Sequence, residues 1–99
     1  YWGDIDTWGL AMLATARSHL PHLHALLMNS ACFATYQHLA VVEPAHAGVL
    51  PSSTLLPEEA ALDRYLRTLD AGRLEQEFLP VAAVGRAIEK WLQNRGDTE

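Results

Sequence analysis

The stretch "YWGDIDTWG" at residues 1–9 places Asp4 and Asp6 one residue apart in an apolar, glycine-flanked setting. Two carboxylates this close repel each other unless a positive group lies between them, so the pair has two readings. In an extended segment residues i and i+2 face the same side, and both acids can then reach one ion in the oxygen-ligand geometry that Mg²⁺ prefers. Alternatively, Asp6 caps a following helix and Asp4 is merely solvated. Gly3 and Gly9 leave room beside the pair for a phosphate or another stretch of backbone.

Spacing tests the competing acid-pair chemistries. A calcium loop beginning at Asp4 needs an oxygen ligand at its fifth position and Glu at its twelfth, where the chain has Trp8 and Thr15. The DxDx[T/V] phosphatase pattern needs Thr or Val where Trp8 stands, and Thr7 comes one place early. A sugar-nucleotide transferase pair fits the spacing, but 99 residues leave little room for its nucleotide pocket.

A second pair, Glu75 and Glu77 in "RLEQE", repeats the same spacing. In extended backbone it too would present one face, and two pairs could bracket the ions or the water used in hydrolytic phosphoryl transfer; otherwise it is a solvated lead-in to a helix. Glu43, before Pro44, is a weaker extra acid. His19, His22 and His24 straddle a proline turn without zinc-site spacing and read as surface residues. His38 and His46 are isolated, with no placed nucleophile to complete a triad. Cys32, the single cysteine, reads as a small buried apolar residue. Trp2, Trp8 and Trp91 read as core or interface anchors rather than base-stacking platforms.

These residues need elements to position them. Residues 1–5 read as a strand, with Asp6-Thr7 capping a helix through "WGLAMLATARSHL" that Pro21 ends. "LHALLMN" at 23–29 has the continuous apolar pattern of a buried parallel strand, and "SACFATYQHL" reads as a short helix capped by Ser30. "AVVEP" at 40–44 is a third strand or an extended connection, and "AHAGVLPSST" is a loop. A helix starts at Pro57 with Glu58 and Glu59 at its positive end, presents Ala61, Leu62, Tyr65, Leu66 and Leu69 on one face, and stops by Gly72. "RLEQEFLP" reads as a strand or extended lead-in to a last helix striped by Val81, Val84, Ile88, Trp91 and Leu92, with "NRGDTE" fraying. Alternating strands and helices predict an α/β fold with a small parallel sheet, in which chemistry gathers at the C-terminal strand ends, where Asp4 and Asp6 would lie.

Composition sets the frame. With 99 residues, 49% hydrophobic and 19% charged, the chain reads as one small globular domain over 1–99. It has neither a spanning apolar run nor a signal-peptide pattern, which predicts a cytoplasmic protein with no membrane partner. The formal net charge of −5 lacks the basic footprint of a domain that holds nucleic acid unaided. Any DNA contact would need bound metal or basic surface elsewhere in a longer chain. The start at Tyr1, without Met and inside an expected strand, reads as a fragment.

"GDIDTWG" with its amphipathic helix, "HLPHLHALLMN", and then "EEAALDRYL…GRLEQEFLP" together resemble the C-terminal Toprim-like domain of the JetD family, the nuclease subunit of Wadjet plasmid-defence systems. They resemble more distantly the DxDPxG stretch of the topoisomerase VI A subunit. The likeness covers most of the chain, and the two acidic blocks in this order are more specific than either alone. It implies a Rossmann-like Toprim fold lacking its first strand, so that the family's first glutamate would lie upstream of Tyr1. It implies Asp4 and Asp6 as ligands of Mg²⁺ or Mn²⁺ for DNA cleavage, Glu75 and Glu77 as later acids, and metal-activated water rather than Tyr36 or Tyr65 as nucleophile. The resemblance implies Asp where this chain has Asn29, an amide that can coordinate but cannot neutralise charge. The implied function is a metal-dependent DNA endonuclease module with DNA and condensin-like complex subunits as partners. The alternative is a catalytically silent module that docks on partner chains or forms a homodimer.

Overall fold

The computed structural model describes residues 1–48 and 54–97. Among the described residues four α-helices follow in order: α1 (Thr7–His19), α2 (Ser30–Tyr36), α3 (Pro57–Leu66) and α4 (Val81–Asp97), with 3₁₀ turns at Gln37–Leu39 and Gln76–Phe78. α1 buries Leu10, Leu13, Ala14 and Arg17, an i, i+3, i+4, i+7 face. α3 contributes Leu62 and Leu66, and α2 contributes Cys32 and Phe33, while α3 packs on both other helices. Each fully buried leucine in this cluster contributes about 2 kcal/mol.

Arg17 can be buried in that face because Glu59, in the first turn of α3, takes its guanidinium in a two-pronged ion pair, and the Arg17 Nη1 also donates to Thr54 O at 3.0 Å. Glu59 also accepts the Leu56 N–H at 2.8 Å, so it holds α3's own start as well as α1.

The expected α/β fold with a parallel sheet is not what the chain forms. Among the described residues there is no strand, and two isolated antiparallel bridges stand in place of a sheet: Ile5 with Leu74, and Val41 with Arg73. Residues 73 and 74 lie between the other two segments. Leu74 exchanges both backbone bonds with Ile5 (2.9 and 3.0 Å), and Arg73 exchanges both with Val41 (2.8 and 3.0 Å).

Nor is 23–29 a strand. Tyr1 N donates to His24 O and Tyr1 O accepts from Leu26 N–H, both at 2.7 Å, a single rung around Ala25. Leu27 then turns away at φ 61°, a left-handed conformation that breaks any ladder. The lead-in at 73–80 is also cut short, because Gln76–Phe78 closes into a 3₁₀ turn after the single bridge.

The helices expected from periodicity all form, with shifted ends. Asn29, not Ser30, caps α2 by accepting the Cys32 N–H at 2.8 Å. α3 ends at Leu66, and Gly72 lies where a Cβ would come within 2.7 Å of Leu66 O. The α4 helix is formed through Asp97. Val49–Ser53 of the expected loop, and Thr98 and Glu99, lie outside the described residues.

Candidate functional site: an acidic cleft held by one arginine

The N-terminus of α1 and the 73–77 segment enclose an open cleft of about 560 Å³ whose lining includes Tyr1, Trp8, Asp4, Asp6, Arg73 and Glu77. The Ile5–Leu74 bridge creates it by bringing "GDID" alongside "RLEQ". Gly9 makes the close approach tolerable: a Cβ there would stand 1.9 Å from Asp4 O, so any other residue would force α1 away from the acid pair.

The capping half of the second reading is realised, and Asp4 is bonded rather than merely solvated. Asp6 is the N-cap of α1, its Oδ1 accepting the Gly9 N–H at 2.5 Å. Asp4 Oδ1 accepts the Gln76 N–H at 2.8 Å, holding the 3₁₀ turn from 72 residues away. The two remaining oxygens turn to the same guanidinium: Asp4 Oδ2 is 3.7 Å from Arg73 Nη2, and Asp6 Oδ2 is 3.5 Å from Arg73 Nε. Glu75 Oε1 lies 3.3 Å from Arg73 Nη2. Arg73 is thus the positive group that the repulsion argument requires.

It does not saturate the acids. Arg73 Nε is buried without a hydrogen-bond partner, and the contact to Asp6 is an ion pair beyond hydrogen-bond length. Burial pushes the Asp6 carboxyl above its usual range, and Glu43 and Asp4 add to the rise, against the Gly9 N–H and Arg73. The Tyr1 phenol, also raised by burial and then by Asp6 and Asp4, donates to Gly9 O at 2.9 Å. It is a protonated wall of the cleft.

Glu43 is the residue that sequence reasoning undervalued. It is buried and accepts from both the Thr7 N–H (2.9 Å) and the Thr7 hydroxyl (2.7 Å), capping α1 from another segment. Thr7 Oγ1 in turn accepts from Ala47 N–H at 2.8 Å, and Trp8 Nε1 donates to Ala45 O at 2.7 Å, so residues 43–47 are strapped across the start of α1. No spacing rule links position 43 to position 7; only its isolation before Pro44 was visible.

The remaining candidates divide. Glu75 precedes the 3₁₀ turn and meets Arg73, and Glu77, inside the turn, is exposed on the cleft lining. All five histidines are exposed, and Cys32 is a buried free thiol whose pKa burial raises. Trp2 and Trp8 are not in the core; they are exposed beside the acids, whereas Trp91 stacks on His24.

The cleft suits a hard divalent cation in kind and only partly in number. Two carboxylate oxygens already face one positive centre, the donor type that Mg²⁺ takes alongside water and substrate phosphate. Among the described residues, however, no group of three His, Cys, Asp or Glu side chains is placed to hold a metal.

The family described as Wadjet protein JetD, C-terminal, matches residues 1–88. The chain belongs to that family. No curated protein matches it. The matched span includes Asp4, Asp6, Glu75 and Glu77, together with Arg73. The last turns of α4 fall outside it. Among the described residues no helix is long and apolar enough to cross a membrane.

Proposed function

We propose that this JetD-family chain carries the acidic half-site of a metal-dependent DNA endonuclease of Wadjet plasmid defence, with Asp4 and Asp6 as the ligands of Mg²⁺ or Mn²⁺. The observation that carries this reading is the convergence of Asp4 Oδ2 and Asp6 Oδ2 on a single cation, each with its other oxygen fixed by a backbone N–H. A divalent ion bound there would supply Lewis-acid stabilisation of the phosphoryl transition state and activate water. The chain's own residues do the positioning. Asp6 is locked by α1, and Asp4 is locked by the turn that also sets Glu75 and Glu77. Glu43 and Asp4 both add negative charge beside Asp6.

Arg73 has a place in this reading as the cation that holds the acids together before metal and a phosphodiester arrive. Its planar donor fork suits a phosphate oxygen as well as a carboxylate.

One observation favours a second reading, a docking module for partner subunits or a second copy. Val81, Ile88 and Leu92 on α4 are exposed, as is Phe78 just before it. The test is plasmid nicking by the full-length protein over a Mg²⁺ and Mn²⁺ titration, comparing wild type with Asp4→Asn and Asp6→Asn. Loss of metal-dependent nicking in both variants is expected. Equal nicking in all three proteins, or none in any, overturns the nuclease reading and leaves docking.

A further inference from the structure

The second large concavity has the opposite chemistry. A groove of about 510 Å³ runs between α4 on one side and the His24–Leu27 segment with α2 on the other. α4 lines it with Arg86, Lys90 and Asn94 at i, i+4 and i+8, so the three lie on one face, the two cations about 6 Å apart along the axis at 1.5 Å per residue. Ala83 and Ala87 line it beside them with small side chains. Opposite stand His24, Asn29 and Thr35.

Three observations give the groove a ligand class. None of its described lining residues is acidic, in a chain of net charge −5. Arg17, Arg67 and Arg73 are consumed internally by Glu59, Asp63 and the cleft acids. Arg86 and Lys90 are exposed and, among the described residues, make no ion pair. Long cations left unpaired on one helix face, beside amide and hydroxyl groups, are suited to a string of phosphates.

The groove also adjoins the acidic cleft. Tyr1 lines the cleft, and its backbone is bonded to His24 and Leu26, which line the groove. The two concavities share that wall.

We infer that the Arg86–Lys90 groove binds the phosphate backbone of the DNA that the acidic cleft cuts. This rests on the nuclease reading for the identity of the polyanion; the groove's own chemistry fixes only that it is one. Contacts to phosphate position the duplex and carry no sequence preference. Anchoring on this side of the shared wall supplies the basic surface that the acidic composition otherwise lacks.

The test measures binding of the full-length protein to two unrelated DNA duplexes by fluorescence anisotropy across a salt series, without divalent metal. The Arg86→Gln/Lys90→Gln double variant keeps polar side chains at exposed positions. It is expected to lose about tenfold in affinity for both duplexes at about 50 mM salt, with the log–log salt slope shallower by about 2. The charge-keeping Arg86→Lys/Lys90→Arg exchange restores both. Arg64→Ala, an exposed cation on α3 outside the groove, sets the background change. A double variant indistinguishable from Arg64→Ala overturns the inference, and does so in favour of a protein-binding surface if capture of a partner subunit is lost at the same time.

The two readings fail separately. Weakened DNA binding by the groove variant alongside wild-type nicking by Asp4→Asn keeps the groove and removes the nuclease assignment. Unchanged binding alongside lost nicking does the reverse.

Discussion

The acidic cleft and the basic groove sit back to back across Tyr1 and His24–Leu26, and the same chain solves opposite charge problems in them. In the cleft, Asp4, Asp6 and Glu75 are drawn together by backbone bonds and share one guanidinium. In the groove, Arg86 and Lys90 are left with no acid among the described lining. This small acidic domain uses three of its six arginines in internal pairs, so an unpaired couple of cations on one face and an under-neutralised pair of acids on the other are where outside ligands are expected. The cleft is short of positive charge and the groove short of negative charge.

The largest expected effect comes from destroying the cleft's geometry. Gly9→Ala puts a Cβ against Asp4 O and should cost about 3 kcal/mol or more, since backbone rather than a flexible side chain must give way. Chemical denaturation checks it; a loss under about 1 kcal/mol would show that α1 can slide away from the acids freely.

Arg73→Gln attacks the charge balance instead. Leaving three carboxylates without their cation should cost about 2 kcal/mol at neutral pH, a figure already reduced for the arginine's partial exposure. Added Mg²⁺ should raise the melting temperature of Arg73→Gln more than that of wild type, because the ion replaces the guanidinium. No difference in the Mg²⁺ response would separate the acids from metal binding.

Asp6 distinguishes cap from charge. Asp6→Ala should cost about 1 kcal/mol through the lost cap, while Asp6→Asn keeps the cap and should be close to wild type. Because the folded Asp6 pKa is raised, the native state binds the extra proton, and wild-type stability from this group falls as pH rises from the ordinary aspartate value of about 3.9 through the raised folded one. Asp6→Asn should abolish that part of the pH dependence, which thermal melts across the acidic range will read. The smallest effect is expected for Asn29→Asp. Either residue caps α2, so stability should change by less than about 0.5 kcal/mol, yet the new carboxylate lies on the groove lining and should weaken DNA binding a few-fold.

Asn29 also illustrates what the sequence made legible. It looked like a lost metal ligand because relatives were expected to carry Asp there. Its oxygen is occupied by Cys32 N–H, a task that both residues perform. The helices could be read because their apolar faces repeat every third or fourth residue, and the Asp6 cap because it immediately precedes such a run.

The strands failed for a physical reason. Short apolar runs such as 1–5 and 23–29 satisfy a strand and an irregular buried segment equally, and the left-handed Leu27 leaves no mark in composition. The resemblance identified the family correctly while the sheet architecture it carried does not appear among the described residues. The site divided likewise. Spacing singled out the acids of both blocks, which lie in or beside the cleft, but not Arg73, the one base in "GRLEQE", on which Asp4, Asp6 and Glu75 converge. Glu43 could not be found without the fold, because its work is done across 36 residues.

The most direct measurement is steady-state plasmid nicking by the full-length protein over a DNA concentration series with saturating Mg²⁺, comparing wild type, Asp6→Asn and Arg86→Gln/Lys90→Gln. The expected result is a split: Asp6→Asn lowers kcat by about 100-fold or more with KM little changed, and the groove variant raises KM about tenfold with kcat retained. Wild-type kcat in Asp6→Asn would contradict the assignment of the chemistry to the acidic cleft.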